Sequence, residues 1–420
     1  MIWFFPKIET ARTDDFPLFA CLIAVIWALF TFKEKLTLNK KIEIFVSGTA
    51  QPTIIYMCFI FIFSSIFAHF LTLIKGVDAV VNLSLLLVPS SLLLPGIFVT
   101  VSLFSLTIGS SMGSITAFMP IAIGFTKYLG INPALMAGIV VGGSMLGDNL
   151  SLISDTTIAA VKTTGCAMSD KFKENVKLVL PAFVATVITL FFVNRGMGFV
   201  SAVPTKTLIS YLDFIKIVPY IVVITLALLG IDVLGVLILG TFTAVGIGLF
   251  DGSFSYLHAL TNIFDGFYTS KKMVAVFVIV MLIAGLSKMI EANGGLNYLI
   301  ERSWKRIKSK AGAETSIAFI IFLVNAVLAI NTISILVVGP IAKRIGKKFD
   351  VSNKRIASLL DIFACVCQGI VPYAPQLLLA GALANISSIA IMPYLHYQFF
   401  IFIVAVVSIL SKIFVKKNTA

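Results

Sequence analysis

Apolar residues fall in runs at about 17–32, 54–74, 91–108, 114–127, 134–161, 178–193, 217–230, 233–250, 273–292, 315–329, 331–343, 356–391 and 395–411, parted by short polar stretches. Crossing a bilayer takes roughly 20 apolar helical residues. The runs therefore predict an all-α polytopic membrane protein of about 11–13 transmembrane segments. Four stretches break the pattern: Ile108–Ser114, Gly147–Ser151, Asn331–Ser334 and Gly369–Pro375. Irregular backbone at membrane depth persists only where protein or a water-filled cavity satisfies its N–H and C=O groups. These breaks predict broken helices or re-entrant hairpins around a polar site inside the bundle.

The breaks come in pairs. Pro120 and Pro340 stand 220 residues apart, as do Gly130 and Asp350, Pro133 and Asn353, and Asp148 and Gln368. Upstream, Leu73–Asp78 resembles Met289–Gly294 with a small slip in offset. The spacing reads as a duplication: an N-terminal helix and loop over 1–50, a first repeat over 51–195, connecting helices over 196–270 and a second repeat over 271–420. Loop charges orient the copies. The first copy has only Lys75 and Lys127 in two loops, whereas the matching loops hold Arg302, Lys305, Arg306, Lys308 and Lys310, then Lys343, Arg344, Lys347, Lys348, Lys354 and Arg355. Basic loops stay cytoplasmic, so the copies are expected to be inverted, with the N-terminus outside and the C-terminus in the cytoplasm. Inverted repeats with broken helices are the architecture of secondary transporters.

Composition narrows the field. Apolar residues make up 59% of the 420 and charged residues 12%, about half the charged share of a soluble domain. A water-soluble enzyme is excluded. The net charge of +13 sits in inter-helix clusters, including Lys162, Lys171, Lys173 and Lys177, which argues for cytoplasmic loops and against nucleic acid. Five cysteines form no zinc or disulfide framework; Cys365 and Cys367 read as packing residues. No cleavable leader is evident, and no cofactor is expected.

Two acids lie inside an apolar run. Asp148 and Asp155 stand seven residues apart, on one face if the stretch were helical. An aspartate at the centre of a membrane helix costs roughly 2.5–3.5 kcal/mol on insertion scales and persists when paired, neutralised or employed. Asn149, Ser151, Ser154, Thr156 and Thr157 surround the pair with neutral oxygens, the donors a small hard cation takes. Deprived of water, the same carboxylates could hold protons instead. A site that takes Na⁺ or H⁺ and cannot cross empty is the minimum machine for antiport. Ser110, Ser111 and Ser114 in the first copy, and Asn331, Thr332, Ser334, Asp361 and Gln368 in the second, are the candidates to line the cavity; Asp361 could instead be an interfacial acid beside Lys354 and Arg355. His69 reads as a satisfied core histidine, and Lys288 with Glu291 as a mutual pair. No buried arginine is evident to bind a dicarboxylate.

The segment Gly142–Thr157, with Gly147-Asp148-Asn149-Leu150-Ser151 followed by Ser154-Asp155-Thr156-Thr157, resembles the signature of the NhaC family of sodium/proton antiporters, usually GDxLSPxSDTT. Gly76–Asn82 and Gly109–Ser114 look like that family too, and the resemblance runs over most of the chain. It implies membership of the ion transporter superfamily, with inverted repeats and opposed hairpins, and by analogy a homodimer. It also implies a cation site at Asp148, Asn149, Ser151, Ser154, Asp155 and Thr156, with Asp148 and Asp155 the Na⁺ ligands and a polar hairpin like Asn331-Thr332 assisting. Leu152 stands where the family often has proline. The first expectation is a Na⁺/H⁺ antiporter of the bacterial inner membrane, with sodium, protons and lipid as its partners. NhaC-like proteins include carriers of amino and hydroxy acids, so a Na⁺- or H⁺-coupled carrier of a small amino or carboxylic acid is the alternative; a channel or scaffold would not need paired, inverted breaks.

Overall fold

The computed structural model describes residues 16–32, 36–87, 89, 92–197, 211–268, 271–296, 298 and 307–417. Every regular element among them is helical. In chain order these are α1 (Phe16–Thr31), α2 (Leu38–Thr49), α3 (Pro52–Leu73), α4 (Gly76–Leu87), α5 (Leu93–Ile108), α6 (Ser111–Leu129), α7 (Pro133–Leu150), α8 (Asp155–Thr164), α9 (Met168–Gly196) and α10 (Tyr211–Leu228). Then follow α11 (Val233–Phe250), α12 (Tyr256–Tyr268), α13 (Lys271–Ala292), α14 (Lys310–Leu328), α15 (Asn331–Phe349), α16 (Asn353–Ile370), α17 (Pro375–Leu383), α18 (Ser388–Ile391) and α19 (His396–Lys417).

By length and composition, 7 helical stretches among the described residues can cross a membrane, or up to 8 if the bent pair Ser388–Tyr394 and His396–Ser411 is one span. That is fewer than the apolar runs suggested. The reason is in part that α15 carries Lys343, Arg344, Lys347 and Lys348, while α1 and α5 are 16 residues long. At 1.5 Å per residue such a helix reaches about 24 Å. Arg302, Lys305 and Arg306 lie outside the described residues.

The breaks are local. Gly109 takes a left-handed conformation (φ 69°) and Ser110 an extended one, after which Ser110 caps α6 by accepting a hydrogen bond from the Gly113 N–H at 3.1 Å. At the 220-residue offset Ala329 (φ 55°) and Ile330 repeat the left-handed and extended conformations, without a side-chain cap. The predicted third break was therefore misplaced: Asn331–Ser334 is the first turn of α15, and the chain turns two residues earlier. Likewise α7 stays helical through Gly147–Leu150 and opens only over Ser151–Ser154, while α16 runs to Ile370 and opens over Val371–Ala374.

The equivalence at 220 residues extends to the backbone. Left-handed residues at 109 and 130 recur at 329 and 350, and helix starts at 111, 133 and 155 recur at 331, 353 and 375. Proline sits inside both α6 and α15. The packing is reciprocal too: α8 of the first copy lies on α15 of the second, and α17 of the second lies on α6 of the first.

At the centre, α7 and α16 are buried along nearly their whole length. Outer helices carry exposed apolar side chains such as Trp27, Phe30, Phe242 and Phe250, as lipid-facing surfaces do. The α5–α7 crossing is close because it is lined by glycine: a Cβ on Gly143 would lie 2.8 Å from the Phe98 carbonyl oxygen, and one on Gly147 would collide with the Ser102 oxygen and the Leu106 nitrogen. Small residues four apart let helix backbones approach in this way. Because the obstacles are backbone atoms, Gly147→Ala is expected to destabilise the protein by about 1–3 kcal/mol, read as a lower melting temperature in detergent.

Candidate functional site

The break after α7 places its polar groups inward. Asp148, Asn149, Ser151, Ser154, Thr156 and Thr157 are all buried. Ser154 and Thr156 hydroxyls lie 2.8 Å apart, and Thr157 donates to the Ser151 carbonyl at 2.8 Å. The two breaks of the first copy touch, since a Cβ on Gly109 would lie 2.9 Å from Ser151 Oγ and from the Ser154 nitrogen. Asp155, by contrast, is exposed in the first turn of α8. The chain between the two aspartates is not helical, so they do not share a helix face: Asp148 lies inside and Asp155 at the rim.

A cation stands in the middle of this cluster. Lys171 on α9, counted above as a loop charge, is 1% exposed, and its Nζ lies 2.8 Å from Asp361 Oδ2. It also donates to Thr157 Oγ1 at 2.6 Å and to the Asn149 carbonyl at 3.2 Å. One turn on, Asn175 donates to the same carbonyl and to Asp361 Oδ2, both at 2.7 Å. Asn149 Nδ2 in turn reaches the Tyr397 hydroxyl at 2.9 Å. Asp361 is therefore no interfacial acid but a fully buried one, and Lys171 and Asn175 are site residues that sequence reasoning missed. Their signal is faint: two polar residues four apart on a helix that turns apolar from Leu178 onward.

The remaining cavity-lining candidates form a neutral network on the second copy. Asn325 Nδ2 donates to Asn331 Oδ1 at 3.0 Å and to the Ala364 carbonyl at 2.9 Å, and Ser334 donates to Asn325 Oδ1 at 2.9 Å. Gln376 Nε2 spans the copies, reaching Gln368 Oε1 at 3.0 Å and Ser111 Oγ at 3.3 Å; Gln368 donates to the Ala329 carbonyl at 3.1 Å. Ser110 and Ser114 are taken up by their own helix end, the first as a cap and the second donating to the Ser110 carbonyl at 2.9 Å. Thr332 is half-buried on the first turn of α15. Asn331 meets the charged cluster through α16, where its Nδ2 faces Cys365 Sγ at 3.5 Å, one turn from Asp361.

A second buried charge group lies apart on α14 and α16. Arg355, also counted as a loop charge, is buried, and its Nε lies 2.9 Å from Glu314 Oε2. Its other nitrogens reach Glu174 at 3.8 Å and Ser408 at 2.9 Å. A buried arginine does exist, then, but it is engaged by protein carboxylates. Elsewhere, His69 meets Asn262 at 3.2 Å, Lys288 pairs with Glu291 at 3.0 Å, and Cys367 packs with its thiol 3.2 Å from the Phe322 carbonyl.

Comparison with known proteins points one way. A family model described as the Na+/H+ antiporter family matches residues 22–197 and 196–414. The Na(+)/H(+) antiporter NhaC of Alkalihalophilus pseudofirmus is 24% identical over 325 residues, which is 72% of this chain and 70% of that protein. NhaC of Bacillus subtilis is 24% identical over 78% of this chain and 77% of its own length. The malate-2H(+)/Na(+)-lactate antiporter of Bacillus subtilis is 21% identical over 74% of this chain and 71% of that protein.

Proposed function

We propose a mechanism for a chain that belongs to the Na+/H+ antiporter family: it is a multi-pass membrane protein and a Na⁺/H⁺ antiporter, and exchange centres on Asp148. The observation that carries this is a buried carboxylate at the end of a broken helix buried along nearly its whole length, hydrogen-bonded by Ser154, with Asn149, Ser151 and Thr156 also buried at the break. Carboxylate plus hydroxyl, amide and freed carbonyl oxygens is a donor set for a small hard cation. A site this dry does not hold an unpaired charge cheaply. Either Na⁺ or H⁺ must therefore accompany Asp148, and the two compete for it. Asp155, at the rim, meets the incoming ion first.

Alternating access is supported by the two-fold exchange of α8 and α17 between the copies. The loop charges favour an axis in the membrane plane, which makes the repeats inverted, with the N-terminus outside and the C-terminus in the cytoplasm of a bacterial inner membrane. A homodimer in lipid is the expected assembly, and the cycle runs on the two ions alone. The malate/lactate relative marks the second reading, a carrier in which Asp148 holds only the coupling ion. No open basic group in the described site faces a substrate carboxylate, since Lys171 and Arg355 are both paired, which favours the first.

Proteoliposomes with a preset pH gradient test this. NaCl or LiCl alone is expected to collapse the gradient; a response only when an organic acid is added moves the protein to the second reading. In the same assay Asp155→Asn is expected to keep exchange but to require several-fold more Na⁺ for half-maximal rate. Complete loss in Asp155→Asn would return that residue to the ion-binding centre.

A further inference from the structure

The pair formed by Lys171 and Asp361 looks at first like a clamp holding α9 to α16. Its surroundings do not fit a clamp. A buried pair contributes to stability only when its remaining polar atoms are satisfied, and buried polar groups in native proteins are as a rule hydrogen-bonded. Here three buried oxygens on the residues of this network have no partner among the described residues: Asp361 Oδ1, Asn149 Oδ1 and Asn175 Oδ1. Asp361 and Asn149 are each contacted by Lys171 and by Asn175 on another atom, and the third oxygen belongs to the Asn175 amide that makes two of those contacts. Acceptors gathered without donors describe a place suited to positive charge. One such charge is present permanently, as Lys171 itself.

Asp148 lies within electrostatic range of both Asp361 and Lys171 and is bonded through the chain to Asn149, whose carbonyl takes the ammonium. The other ionisable neighbours are Tyr397, bonded to Asn149, and Cys365, which faces Asn331; Asp155 is at the exposed rim. The charged groups inside the cluster are thus two carboxylates and one ammonium. We propose that Lys171 is a resident cation that sets the valence of the ion accepted: by neutralising Asp361 it leaves Asp148 as the one uncompensated charge, matched to a single monovalent ion. This rests on the reading of Asp148 as the ion-binding carboxylate. Without the ammonium, the cluster would carry two carboxylates, Asp148 and Asp361, with the Asn149 carbonyl and the amide oxygens of Asn149 and Asn175 as further oxygen donors. That is the multi-oxygen, doubly negative set that Ca²⁺ selects.

The test is equilibrium binding of radiolabelled Na⁺ and Ca²⁺ to the purified full-length protein in detergent, which needs no transport. Wild type is expected to bind Na⁺ and to be indifferent to Ca²⁺. In Lys171→Gln the affinity for Ca²⁺ relative to Na⁺ is expected to rise by at least about tenfold. In Asp361→Asn the ammonium cancels Asp148, and Na⁺ affinity is expected to fall by at least about tenfold. The double variant Lys171→Gln/Asp361→Asn restores one net negative charge, and with it the preference for Na⁺. A structural clamp predicts none of this: each variant would lose stability while the ratio of the two ions stayed at its wild-type value, and that result overturns the proposal. If Lys171→Gln does not yield a monodisperse protein, Asp361→Asn against the double variant decides, because equal Na⁺ affinity in the two also overturns it. Wild-type Na⁺ binding that survives Asp148→Asn would instead refute the ion site itself, a failure distinct from the first.

Discussion

Sodium-driven collapse of a pH gradient is expected to fall to that of protein-free vesicles when Asp148 is replaced by Asn. The change is isosteric, so it removes charge and the ability to carry a proton while keeping shape. Ser151, Ser154, Thr156 and the Asn149 amide remain, but the site has lost the negative charge that balances a buried cation and the group that can exchange it for a proton. Folding is expected to be unharmed, because an amide is less costly to bury than a carboxylate; the melting temperature of Asp148→Asn should equal or exceed that of wild type. Exchange retained at wild-type rate would remove Asp148 from the centre of the mechanism.

The largest loss of stability is expected from Arg355→Ala. Arg355 is 3% exposed and Glu314 0%, and the side chain ties α16 to Glu314 on α14, to Glu174 on α9 and to Ser408 on α19. Removing the guanidinium leaves the Glu314 carboxylate buried without its main counter-ion, a change that typically costs about 3–5 kcal/mol. Arg355→Met combined with Glu314→Leu removes both charges and should recover much of that loss. Thermal unfolding in detergent, with gel filtration to detect aggregation, measures both. Equal melting temperatures for Arg355→Ala and wild type would mean that the group is solvated in the working protein.

Much of this architecture is legible in the sequence because hydrocarbon imposes long apolar runs and leaves few reasons to interrupt them. The break at 109 carries its own signal, a glycine in a left-handed turn flanked by serines. Its counterpart is hidden, because Ala329 pays the steric cost that glycine avoids and the polar residues that attract the eye begin only at Asn331. Charge misled in a different way. Lys171 and Arg355 sit among basic neighbours, and a count along the chain treats all of them as solvated, yet exposed Lys173 and Lys354 stand two and one positions away from residues that are buried. Which side of a helix faces the bundle is settled by tertiary packing, and Asp361, two turns beyond Lys354, becomes interpretable only once its partner from α9 is in place.

The reciprocal seating of α8 on α15 and of α17 on α6 also bears on biogenesis. During synthesis α8 leaves the ribosome long before the helix it packs on: 185 residues separate Thr164 from Phe349, which at roughly 5–20 residues per second is a wait on the order of 10 to 40 seconds. Throughout that interval the half-helix behind Asp148 lacks its main seat, with α7 and α9 beside it, and the signature segment stands incomplete in the membrane. A truncated chain that ends before Asn331 would keep that defect permanently.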